Sequence, residues 1–102
     1  MSSWINVANV NDFPEGSWRC LPTAHESILV FNYQGQYYAI ANVCTHDGSP
    51  LTGGHVEGCE IICPRHGARF DIRTGAVTAP PAYEDVPTYS VRIEKGVIQV
   101  SI

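Results

Sequence analysis

Two short cysteine–histidine pairs, Cys44-Thr45-His46 and Cys63-Pro64-Arg65-His66, carry the chemistry of this chain. Their spacings are C-x-H and C-x₂-H, and 16 residues separate His46 from Cys63. Each pair lies in a segment rich in turn residues, so two tight loops would bring two thiolates and two imidazoles together. Such a donor set binds metal. A [2Fe–2S] cluster in which two imidazoles replace two thiolates on one iron requires it. A Cys₂His₂ zinc site is the alternative, but zinc motifs usually open with a C-x₂₋₄-C knuckle, whereas each donor pair here combines one cysteine with one histidine.

The elements that must hold these loops are short strands. Ser27–Phe31 is an apolar β-rich run. Asn32–Gly35 reads as a turn and Gln36–Ile40 as the returning strand of a hairpin. Tyr89, Val91 and Ile93 alternate with Ser90, Arg92 and Glu94, the pattern of one half-buried strand, and Glu94-Lys95-Gly96 turns the chain into Val97–Ile102. Trp4–Val7 and Ser17–Leu21 are further strands, separated by a turn over Pro14–Gly16. One turn at Val10–Phe13 is the helix candidate. The stretch from about Val43 to Ala79 differs in texture: it holds all four donors and six glycines. Within it Cys59–Ile62 and Ala68–Asp71 should be strands with the second loop between them. Gly48, Gly53, Gly54 and Gly67 let the backbone turn tightly beside the sulfurs or adopt φ > 0.

C-T-H-D-G followed by C-P-R-H-G-A-R-F-D resembles the two cluster-binding loops of Rieske proteins. The resemblance covers nearly the whole chain. It implies an all-β fold: an antiparallel β sandwich or barrel with a small cluster-binding subdomain, about 43–79, inserted into a single domain of residues 1–102. It implies one [2Fe–2S] cluster, with Cys44 and Cys63 on the inner iron and His46 and His66 on the outer one, near solvent. Gly67, directly after a ligand, is expected to pack against the cluster. Ala79-Pro80-Pro81 resembles the proline-containing third loop that covers the cluster in this family.

Departures from the high-potential members carry information. Respiratory members add one cysteine to each loop and join them by a disulfide; Ser49 and Arg65 stand at the matching positions here. Those members also place a serine and a tyrosine whose hydroxyls donate to cluster sulfur or a ligand thiolate, where this chain has Ala68 and Phe70. Donors stabilise the extra electron of a reduced cluster, so their loss lowers the potential. Asp47 beside His46 acts in the same direction and Arg65 opposes it. The expected potential lies at the low end of the Rieske range, near ~−150 mV.

The chain has 102 residues, ten acids and six bases, and a formal charge of −4. That balance argues against nucleic acid, which needs a basic face. No apolar run is long enough to span a membrane, and Met1–Asn6 lacks the basic-then-apolar order of a signal peptide. Respiratory members usually carry an N-terminal membrane anchor, and no such segment is read in this sequence, so the chain is expected to be soluble and cytoplasmic, and a monomer. His25 and His55 are expected to be structural or solvent-exposed. Cys20 and Cys59, beside apolar residues, are expected to be buried core thiols, which fits a reducing compartment. Arg65, Arg69 and Arg73, flanked by Asp47, Glu57 and Glu60, form either an ordinary solvated surface or a rim that orients redox partners.

A low-potential, one-domain Rieske protein resembles the ferredoxin component of a multicomponent oxygenase. The resemblance implies a non-enzymatic carrier that takes one electron at a time from a flavoprotein reductase and delivers it, in transient encounters, to a terminal oxygenase. The catalytic oxygenase subunit would need a second iron held by two histidines and a carboxylate, and none of the 36 residues after His66 is histidine. The alternatives are a small Rieske subunit of an assimilatory nitrite reductase and an accessory protein of redox sensing or iron–sulfur assembly.

Overall fold

The computed structural model describes residues 3–24 and 26–102. Among the described residues, eleven strands make up three antiparallel sheets, with one short 3₁₀ turn beside them. The first sheet joins β1 (Trp4–Asn9), β11 (Val97–Ser101) and β10 (Val91–Glu94), with β11 in the middle. The second has the order β2 (Trp18–Leu21), β3 (Ile28–Tyr33), β4 (Gln36–Ala41), β9 (Thr88–Tyr89). The third is a meander of three-residue strands, β5 (His55–Glu57), β6 (Glu60–Ile62), β7 (Arg69–Asp71) and β8 (Val77–Ala79). This is the all-β, antiparallel architecture expected, and the third sheet lies within the segment expected to carry the metal.

Strand β3 explains how two cores are built from so short a chain. Side chains alternate between faces along a strand. Ile28 and Val30 therefore join Phe13, Ala39, Ile98 and Val100 between the first two sheets. Leu29 and Phe31 point the other way. There they pack with Ile40, Leu51, Ile61, Phe70 and both cysteines of the candidate donor set, Cys44 and Cys63. A strand buried on both faces reads as a continuous apolar run, which Ile28–Phe31 is.

Several sequence expectations need correction. The β3–β4 turn is two residues long, not four: Gln34 and Gly35 both have positive φ (53° and 82°), the geometry of a type I′ hairpin. Asn32 belongs to β3; its amide is buried, donates to the Phe13 carbonyl at 2.9 Å and accepts from Gly35 N–H at 3.1 Å. The run Tyr89–Glu94 is not one strand. Tyr89 pairs with Ala39 in the second sheet and Val91 with Val100 in the first, so the chain changes sheets at Ser90. Ile93 is 52% exposed. The helical turn is a 3₁₀ turn over Val10–Asp12. Cys20 and Cys59 are half-buried rather than core residues, because each lies at an edge: Cys20 on edge strand β2 and Cys59 in the β5–β6 turn. His55 is exposed, and His25 lies outside the described residues. No helix among the described residues is long and apolar enough to cross a membrane.

Candidate metal centre

The two donor loops share one backbone turn. In loop 1 the Cys44 carbonyl accepts from Gly48 N–H at 2.7 Å, and Cys44 N–H donates to the Ser49 carbonyl at 2.7 Å. In loop 2 the Cys63 carbonyl accepts from Gly67 N–H at 3.1 Å, and Cys63 N–H donates to the Ala68 carbonyl at 2.8 Å. The glycine that closes each turn has nearly the same positive φ, 79° at Gly48 and 78° at Gly67. A side chain there is strained whatever space surrounds it. Gly67 thus has a conformational role that is independent of the packing role expected from the sequence.

Both turns put the cysteine inside and the histidine outside. Cys44 and Cys63 are 0% and 2% exposed and belong to the same buried cluster. Burial pushes the Cys44 thiol up, and the neighbouring Cys63 adds to this; the His46 backbone N–H opposes it. A buried thiol pair of this kind loses its protons when a metal supplies the compensating charge. His46 and His66 are exposed. Their rings meet edge to face, with centroids 4.9 Å apart and planes at 87°.

Asp47 completes the outer layer. Its Oδ2 lies 3.5 Å from Arg65 Nε and 3.7 Å from His66 Nδ1, and its Oδ1 accepts from Ser49 N–H at 2.9 Å. The Ser49 contacts, followed by the Arg65 charge, hold the Asp47 carboxyl below its usual range. Arg69 and Arg73, the other two arginines of the expected rim, pair with different carboxylates. Arg69 reaches Glu60 at 3.2 Å and Glu57 at 3.5 Å, and Arg73 grips Asp71 through two hydrogen bonds.

A third segment packs beside the loops. Ala82 and Val86 enter the core that holds both cysteines, and Thr45 Oγ1 donates to the Glu84 carbonyl at 2.6 Å. This segment follows Pro80-Pro81; the residues that meet loop 1 and the cysteine-bearing core are those after the prolines, Ala82, Glu84 and Val86. Tyr83 at its apex is 85% exposed. Loop 1's return limb is close to loop 2 as well: a Cβ on Gly54 would lie 2.0 Å from the Ile62 carbonyl oxygen. Sequence reading missed Asn42, whose side chain bonds Leu51 and Thr52 across loop 1. Its position, two residues before the candidate donor Cys44 at a strand end, was the available signal.

The model of the Rieske [2Fe-2S] domain family matches residues 3–90, and the chain belongs to that family. It is 38% identical over 92 residues to the ferredoxin component of the naphthalene 1,2-dioxygenase/salicylate 5-hydroxylase systems of a Ralstonia species, covering 90% of this chain and 88% of the relative. Among solved structures it is similar to the ferredoxin of carbazole 1,9a-dioxygenase from Nocardioides aromaticivorans IC177. That likeness has a TM-score of 0.88 at 32% identity and covers 96% of each chain. A chain in the complex of reduced oxygenase and oxidized ferredoxin in carbazole 1,9a-dioxygenase gives a TM-score of 0.90 at 27% identity, over 96% of this chain and 92% of that one.

The cofactor of the family is one Rieske-type [2Fe–2S] cluster, and the donor set fits it. Among the described residues, the group of three or more donor atoms that converge within 4.8 Å is His46, Asp47 and His66; neither thiol belongs to it. A single tetrahedral zinc would draw all four donors around one point. A buried sulfur pair beneath a separate, exposed nitrogen pair instead suits two metal atoms, one with thiolate and one with imidazole ligands.

Proposed function

We propose that this chain is the ferredoxin component of an aromatic-ring dioxygenase system, passing single electrons from a flavoprotein reductase to a terminal oxygenase. In this reading Cys44 and Cys63 hold the inner iron, and His46 and His66 the outer one, within a cluster-binding segment of about 43–79. When bound, the cluster supplies a one-electron couple. The chain's own residues do the rest. The buried cysteines keep the inner side of the site dry, and the exposed imidazole pair offers a short path between site and partner. The Thr45–Glu84 hydrogen bond ties the third loop to the same face. Exposure of that imidazole pair above a buried thiol pair is the observation that carries the reading.

Two further features support it. Ala68 and Phe70 are both fully buried in the core that contains the thiols, so they bring apolar surface where a hydroxyl would favour the reduced state. The relatives matched along nearly their whole length are ferredoxin components of dioxygenase systems, which favours this reading over a nitrite reductase subunit or an assembly accessory. The free cysteines Cys20 and Cys59 accord with a cytoplasmic setting.

The test begins with metal analysis, which should give two irons and two acid-labile sulfides per chain. Stopped-flow mixing with reduced flavoprotein reductase should then reduce the protein at a second-order rate that falls with ionic strength. Charge reversal at Arg65 should change that rate and leave the optical spectrum nearly intact. One zinc without sulfide would end the cluster reading. Tight copurification with a nitrite reductase, or failure of every candidate reductase to reduce the cluster, would end the shuttle reading.

A further inference from the structure

Loop 1 enters from β4 and returns along a limb with no strand of its own, and one side chain bridges the gap. Asn42 Oδ1 accepts from Leu51 N–H at 2.7 Å and from Thr52 N–H at 3.1 Å. Its Nδ2 donates to Thr52 Oγ1 at 2.6 Å and lies 3.7 Å from Cys20 Sγ. Asn42's own N–H donates to the Ser27 carbonyl at 2.9 Å, so the side chain starts from a backbone already fixed to the sheet. At the far end of the bridge, Leu51 is fully buried in the core that holds Cys44 and Cys63.

We infer that Asn42 is a positioning residue for the metal centre: its amide closes loop 1 at the base and thereby fixes Cys44 and His46 relative to Cys63 and His66. The inference rests on the ligand assignment proposed above. Carboxamide chemistry suits the task, because one oxygen accepts two bonds while the nitrogen donates others. An aspartate would keep both acceptor bonds, and the Thr52 hydroxyl can rotate to donate to it. An alanine would leave both amides without this partner; water can replace the bond to exposed Thr52, but the Leu51 amide belongs to a buried residue, where an unmet donor is costly. Loop 1 would then sample wider positions while the strands beneath it stayed paired.

The experiment compares wild-type holoprotein with Asn42→Ala and Asn42→Asp. Three quantities are read: cluster loss in excess iron chelator, visible circular dichroism with electron paramagnetic resonance, and reduction potential. Asn42→Ala should lose its cluster about tenfold faster than wild type, with altered spectra and a shifted potential. Asn42→Asp should return cluster retention and the spectra close to wild type, while its added negative charge lowers the potential. A role in stability alone would lower the melting temperature and leave spectra and potential unchanged, which would overturn the inference. So would an Asn42→Asp protein as labile as Asn42→Ala. Should Asn42→Ala fail to fold, Asn42→Ser, whose hydroxyl reaches one amide at most, takes its place with the same expected loss and the same overturning result. Iron and sulfide in the wild type test the ligand assignment separately: two of each with an unaffected Asn42 variant would reject this inference alone.

Discussion

Loop 2 is the tip of a hairpin. Ile62 pairs with Arg69 directly beneath it, and the ladder continues through Ile61–Phe70 to Glu60–Asp71. Loop 1 makes the same turn, with the same two backbone bonds and the same glycine conformation, but it has a strand on one side only. After Ala41 the chain enters no strand until His55. Its return limb is held by the Asn42 amide, by the buried Leu51 side chain and by Gly54 passing close against Ile62. Equal turns on unequal supports should respond unequally when the metal is taken away. A ladder persists without a ligand, whereas a limb fixed by one side chain and a few contacts depends more on what the loop grips.

Removing the metal is accordingly the largest perturbation. In chelator-stripped protein, hydrogen exchange should rise strongly across residues 43–52 and much less across 61–70, since local opening follows local contacts. Cys44→Ala and Cys63→Ala should both abolish iron binding, and both should show the same uneven exchange. Equal exchange in the two loops would break the comparison.

Glycine substitutions separate turn from support. Gly48→Ala and Gly67→Ala meet open space at the same φ, so each should cost about 1–2 kcal/mol, and nearly the same amount. Gly54→Ala drives its Cβ into the Ile62 carbonyl oxygen, a backbone atom that cannot rotate away. It should cost about 2–3 kcal/mol or more and speed cluster loss, because the limb must lift off β6. Denaturation midpoints check all three. A Gly54→Ala protein no less stable than Gly48→Ala would show that the limb moves freely.

Donor chemistry next to loop 2 should tune the potential without loosening either loop. Ala68→Ser and Phe70→Tyr each offer a hydroxyl to the buried sulfur side. A hydrogen bond to a charged group is worth roughly 1.5–3 kcal/mol at most, which is on the order of 60–130 mV for one electron at 59 mV per tenfold change. Voltammetry should show a rise in each variant. A wild-type potential above ~+200 mV, in the upper part of the Rieske range, would contradict the account.

What could be read from sequence follows the same division. The four proposed donors stand out in the sequence because the chemistry restricts such donors to cysteine and histidine at short spacings. Strand β3 was legible because burial on both faces demands a continuous apolar run. The fastening of loop 1 was not, since an asparagine that bridges two backbone amides looks like any polar loop residue until the fold brings position 51 back to it. The sheet change at Ser90 was hidden for a related reason: Tyr89 and Val91 keep the two-residue alternation of one strand while pairing in different sheets. Cys20 and Cys59 misled because apolar neighbours in sequence say little about an edge strand or a turn.

The smallest effect concerns the Asp47–Arg65 ion pair, which joins the loops beside the Asp47–His66 contact. Arg65 stands where respiratory members place a disulfide cysteine, and its Nε lies 3.5 Å from Asp47 Oδ2 across the gap. The Arg65 side chain is 63% exposed and that of Asp47 27%. Water and salt screen such a pair, and holding two flexible side chains together opposes the attraction. A double-mutant cycle of Asp47→Asn and Arg65→Gln, followed by denaturation midpoints at low and high salt, should give a coupling close to zero that vanishes at high salt. Cluster lability should change little in either single variant. A large, salt-resistant coupling would mean that loop 1 is fastened across to loop 2 rather than down to its own base, and the contrast between the two supports would then dissolve.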